Sequence, residues 1–154
     1  MTTLTLEQRR EIDLVKEQLV QRAEKLLDDV GLGTMERNLF GHSQLRNLSA
    51  IAVETQSPAV VTNFIRFQIG RAKKDQGWAK PVAGKRLGQH FIEALEGEEE
   101  LIPRLALEIS RQPKEAAGTQ VVRIELIRHF VGFASRYLRF LDLDRPGRNG
   151  EEHS

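Results

Sequence analysis

Residues 43–78 read SQLRNLSAIAVETQSPAVVTNFIRFQIGRAKKDQGW, and this stretch decides the fold. Two helices meet at Ser57-Pro58. Proline suits the first helical position because its missing N–H has no intrahelical partner there, and a serine before it caps the amides that follow. The second helix carries Val61, Phe64, Ile65, Gln68 and Ala72 at helical spacing, with Val60 and Phe67 widening the apolar stripe. Asn63, Arg66, Gly70 and Lys73 recur at three- and four-residue steps and share a second face. That face is polar and cationic, and its glycine lets another backbone approach closely. An anionic backbone is the partner such a surface suits.

Outward from this stretch the chain stays helical. Thr5 with Gln8 has the pattern of a capping box, and Ile12, Val15, Leu19, Ala23, Leu26 and Val30 extend one apolar stripe to Gly31. Gly31 and Gly33 are stop signals. A short connection follows, with a helical turn that buries Leu39 and Phe40. The two central helices run from about Gln44 to Thr55 and from Pro58 to about Asp75. A loop rich in glycine and proline holds Trp78, and a shorter helix over Leu87–Glu96 packs Phe91, Ile92 and Leu95. The acidic run Glu96-Gly97-Glu98-Glu99-Glu100 opens another segment with Pro103 near its first turn and Leu105 and Ile109 apolar.

The last helix is the longest, starting between Pro113 and Thr119 and ending near Leu143. Ile124, Ile127, Val131, Ala134, Leu138 and Leu141 alternate three and four apart, which is bundle spacing. Phe130, Phe133, Tyr137 and Phe140 widen that arc, while Arg128, Arg136 and Arg139 occupy the polar stripe. With no alternating strand pattern and no repeat, the expected fold is all-α, a compact bundle of five to seven helices. Residues 1–143 make one helical domain, and 144–154 read as a disordered tail.

The 154 residues, 40% hydrophobic and 29% charged, describe a soluble globular domain with a net charge of +1. No apolar run approaches the ~20 residues of a membrane helix, and the N-terminus shows no secretory segment. Zero cysteines exclude disulfides and thiolate chemistry. A cytoplasmic protein is the expectation. Charge is uneven: Arg66, Arg71, Lys73, Lys74, Lys80, Lys85 and Arg86 face a single acid, Asp75, between positions 66 and 86. Such a patch fits phosphate or a charged protein partner.

Catalytic and cofactor motifs are missing. Gly31-Leu32-Gly33 lacks the remaining glycines and the strand of a dinucleotide site, and Gly84-Lys85-Arg86 lacks the rest of a phosphate loop. His42, His90, His129 and His153 have no metal-ligand spacing, and one His90–Glu93 pair is not a site. The acidic run reads as a solvated helix start. The expectation is therefore a non-enzyme with no cofactor, metal or small-molecule substrate. Trp78 has two readings: a stacking platform, or a plug that anchors its loop on the bundle. Arg71, on the apolar side of its helix, reads equally as a buried ion pair with Glu54 or as a phosphate contact.

The run Ser43-Gln44-Leu45-Arg46-Asn47, followed by NFIRFQIGR (residues 63–71) and Trp78, resembles a pattern in the small helical subunit of type III CRISPR effector complexes. The resemblance covers roughly residues 40–95 and implies a non-catalytic subunit. Several copies of itself would stack beside the backbone subunits of the complex, along the guide and target RNA. Contacts would go to phosphate and sugar, because base pairing reads the sequence. Arg46, Arg66 and Arg71 carry over from the motif. Asn63, Lys73, Lys74, Lys80, Lys85 and Arg86 join them from the face and charge pattern. The competing reading is a structural helical adaptor whose basic face docks on an acidic protein partner.

Overall fold

Thr5 opens the first helix as its spacing with Gln8 predicts. Its hydroxyl accepts from the Gln8 N–H at 3.0 Å, and Gln8 Oε1 accepts from the Thr5 N–H at 3.1 Å. The fold is seen in a computed structural model, which describes residues 3–111 and 118–147. The single first helix expected from the apolar stripe is two, α1 (Leu6–Leu14) and α2 (Lys16–Asp29), broken at Val15. The break lets α1 turn onto a later helix while α2 follows the last one, so Leu14 stays 74% exposed.

The central pair is α3 (His42–Glu54) and α4 (Pro58–Arg71), followed by a 3-10 turn at Gly77–Ala79. Two-residue strands β1 (Pro81–Val82) and β2 (Lys85–Arg86) pair antiparallel. This hairpin departs from the expectation of no strand. Its turn holds Ala83 and Gly84 at φ 48° and 91°, the conformation that a two-residue hairpin turn demands. Helix α5 (Leu87–Glu96) matches the sequence reading, and α6 (Leu101–Ser110) follows the acidic run.

Helix α7 (Thr119–Leu141) is the longest, and α2, α3 and α6 pack around it. Ile124, Ile127, Val131, Ala134 and Leu138 are buried there, as bundle spacing predicts, while Leu141 is half-buried; Phe130 of the widened arc is buried as well. The possible starts at 113–117 lie outside the described residues. Seven α-helices among the described residues, with a long C-terminal one, make this the all-α bundle anticipated.

Several side chains fall elsewhere than periodicity suggests. The buried face of α4 is Pro58, Val61, Thr62 and Ile65, turned toward α5, where a Cβ on Gly88 would meet the Ile69 side chain at 2.7 Å. Gly88, not Gly70, is thus the glycine that permits close packing; a Cβ at Gly70 would meet open space. Because α4 turns this way, Val60 and Phe67 are 46% and 61% exposed instead of widening the core. Phe140, near the C-terminal end of α7, is likewise exposed. Ser57 precedes α4 as expected but makes no side-chain cap bond.

Two arginines carry long-range structure. Arg128, expected on a solvent stripe, is partly buried and donates to the Ala52 and Thr55 carbonyls at 2.8 Å each, closing the C-terminal end of α3. Arg145, assigned by sequence to a disordered tail, is 3% exposed. Its guanidinium donates to the carbonyls of Met35, Glu36 and Phe40 and pairs with Asp142 at 2.8 Å. The Arg37 N–H reaches the Pro146 carbonyl at 2.9 Å. Residues 144–147 therefore strap the connection between α2 and α3, and 148–154 lie outside the described residues.

A planar fork explains the strap, since only arginine presents several fixed donors to three carbonyls and a carboxylate at once. Arg145→Ala strands buried acceptors, so unfolding free energy in urea should fall by about 3 kcal/mol or more. Arg145→Lys should recover only part of that loss. An unchanged melting curve for Arg145→Ala would contradict the strap.

Candidate nucleic-acid interface

The quoted stretch folds back on itself to make a groove. Gln44 Oε1 accepts from the Gly41 N–H at 2.9 Å and fixes the start of α3, while Leu45 and Leu48 enter the core. This presents Ser43 and Asn47, one turn apart, along one wall. Phe64, Gln68 and Arg71, successive turns of α4, form the other. The chain after Ala72 leaves the helix in extended backbone, and Lys73, Gln76 and Gly77 close the end. The groove holds about 400 Å³, and no aspartate or glutamate lines it.

Trp78 is its floor. The indole is 4% exposed and packs edge-on against Phe40 at 4.9 Å and Phe91 at 5.3 Å between ring centroids. The Gly77 N–H adds a bond to the Leu39 carbonyl at 2.9 Å. Trp78 is thus the plug that anchors its loop, buried against two protein rings.

Nine residues were candidates for phosphate, and they do not form one face. Arg71 and Lys73 line the groove, and Lys74 is exposed beside them in sequence. Arg71 lies over the Phe67 ring at 5.8 Å and is exposed, so the buried pair with Glu54 does not form. Arg66 leaves the opposite side of α4 toward α5, where Glu96 binds it. Lys85 pairs with Glu93 at 2.6 Å. Those two cations share a second concavity with Ile69, Gln89 and Ile92, where carboxylates of α5 already answer them.

Asn63 is exposed on α4, Lys80 is half-buried, and Arg86 is exposed on the hairpin. Arg46 is exposed on α3 within electrostatic reach of His42. Burial pulls the His42 pKa below the usual histidine value, and Arg139 and Arg46 push it the same way against Asp142.

The acidic run is less solvated than its composition suggests, since Glu96 holds Arg66 and Glu100 holds Arg22 at 3.1 Å. His90 and Glu93 do not act together: His90 Nε2 bonds the Val82 carbonyl at 2.8 Å while Glu93 takes Lys85. Burial also lowers the His129 pKa, against the raising effect of Glu125 at 3.4 Å. Among the described residues, no group of three or more His, Asp and Glu is placed to hold a metal ion. No described helix is long and apolar enough to cross a membrane.

Sequence reading missed the amides of the groove: Asn38, Gln44, Asn47, Gln68 and Gln76. The signal was present in the four-residue step from Ser43 to Asn47 and in the steps from Phe64 through Gln68 to Arg71. No family model, curated protein or solved structure matches this chain.

The plug assignment of Trp78, the only tryptophan, is read directly from fluorescence. Its emission should be blue-shifted and weakly quenched by iodide in the native protein, and freely quenched after unfolding. Free iodide quenching in the native state would return Trp78 to the surface.

Proposed function

We propose that this chain is a non-catalytic, cytoplasmic RNA-binding subunit of a ribonucleoprotein, of the small type III CRISPR effector kind it resembles. The observation that carries the reading is the acid-free groove in which Arg71 and Lys73 meet, inside the stretch that holds the resemblance. Cations beside neutral amides attract phosphate without a competing carboxylate, and Lys74 extends the same charge along the surface. Arg66 and Lys85 are satisfied by Glu96 and Glu93, so they belong to the structural framework of this reading. Phosphate contact fits a subunit whose partner strand is recognised by base pairing.

A second element supports assembly. Val53, Val60 and Phe67 are 64%, 46% and 61% exposed on the outer side of α3 and α4. Apolar side chains of that size favour a protein neighbour, here the adjacent subunits and further copies of the chain. The adaptor alternative uses the basic face instead, with an acidic protein as partner and RNA taking no part.

Salt dependence separates the two. Each lost phosphate contact lowers the slope of log affinity against log salt by about 0.7 for a single strand. Arg71→Gln with Lys73→Gln should therefore reduce the slope for single-stranded RNA by about 1.4, whatever its sequence. Arg66→Gln with Lys85→Gln should leave it unchanged. Equal weakening by both pairs would mean diffuse attraction without a site. Absence of RNA binding at low salt would remove the reading altogether.

A further inference from the structure

The groove holds more polar groups than phosphate needs. Among the described residues, the side-chain amides of Asn38, Asn47, Gln68 and Gln76 have no hydrogen-bond partner in the protein. Gln44, by contrast, is spent on structure, its Oε1 accepting from the Gly41 N–H at the start of α3. The unpaired amides therefore line a concavity without holding it together.

A side-chain amide offers a donor and an acceptor side by side. Phosphate oxygens only accept, so they leave the amide carbonyls unanswered. The edge of a nucleobase presents donor and acceptor together and is matched by one amide with two bonds. RNA-reading proteins take such edges from bases already out of the stack. Here the walls supply Asn47 and Gln68 across the groove, Phe64 gives an apolar surface for the ring, and the volume of about 400 Å³ lies in the range of small-ligand sites.

We propose that the groove holds one unstacked base of a single-stranded RNA, with Asn47 and Gln68 on its edge and Arg71 and Lys73 on the phosphate beside it. The inference rests on the RNA-binding reading above and adds to it a base subsite. The amides accept any base able to rotate a donor and an acceptor toward them, so the contact senses the presence of a base more than its identity. It also favours single strands, because paired bases in a duplex have their edges occupied.

The test uses the full chain and two probes: a single-stranded RNA of mixed sequence, and a phosphoribose chain of equal length carrying no bases. The native protein should bind the first about tenfold more tightly, the lower range for one amide–base contact. Asn47→Ala with Gln68→Ala should bind the two probes alike, with an unchanged salt slope and an unchanged melting temperature. Arg71→Gln with Lys73→Gln should lower the salt slope while keeping the preference for bases. Equal binding of both probes by the native protein would overturn the base subsite while leaving the phosphate reading intact. A preference that survives in the amide variant would overturn the assignment to this groove. Failure to bind either probe would overturn both readings.

Discussion

The edge-on packing of Trp78 between Phe40 and Phe91 is the contact on which the candidate site depends. These three rings come from the α2–α3 connection, the loop after α4, and α5. Together they bring the end of α4 against the start of α3, so the two walls of the groove have a common floor. Burial of large aromatic surface supplies the driving force, and the T-shaped geometry adds specificity of orientation. Arg145 then secures Phe40 from the far end of the chain by holding its carbonyl. A loop rich in charge and glycine, with only a 3-10 turn of its own, is held this way.

Electrostatics divides the same surface in two. Arg66 and Lys85 are drawn to α5 by Glu96 and Glu93, and exposed pairs of this kind contribute little to stability. Their larger effect is to cancel charge on one flank of α4. Arg71 and Lys73 keep theirs, because no carboxylate lines the groove they face. Seen in sequence, the cations between positions 66 and 86 form one patch; in space Arg66 and Lys85 lie on a neutralised flank and Arg71 and Lys73 in an acid-free groove.

How much of this was legible in the sequence follows from the range of each interaction. Helices α3, α5 and α7 were readable because their apolar residues repeat every three or four positions, a signal contained within one element. The break at Val15 was not, since the apolar stripe runs through it and only the need of α1 to meet α6 distinguishes the two helices. The hairpin escaped because Ala83 takes the positive φ where asparagine or glycine normally announces such a turn. Arg66 with Glu96 lies 30 residues apart, and Arg145 with the Phe40 carbonyl 105 apart. No local pattern encodes such partners. The groove forms within the motif stretch without having been legible there, and the rotation of α4 on α5, set by Gly88 against Ile69, decided which cations enter it.

The central claim is that RNA lies in the groove between α3 and α4. Photo-crosslinking of a 4-thiouridine RNA to the native chain, with the attached peptides identified by mass spectrometry, tests it most directly. The account predicts crosslinks within residues 38–47 and 64–78, diminished by high salt, and few on α1 or α6. Crosslinks concentrated on α1, α6 or the hairpin flank beside Lys85, with none in the groove, would contradict it.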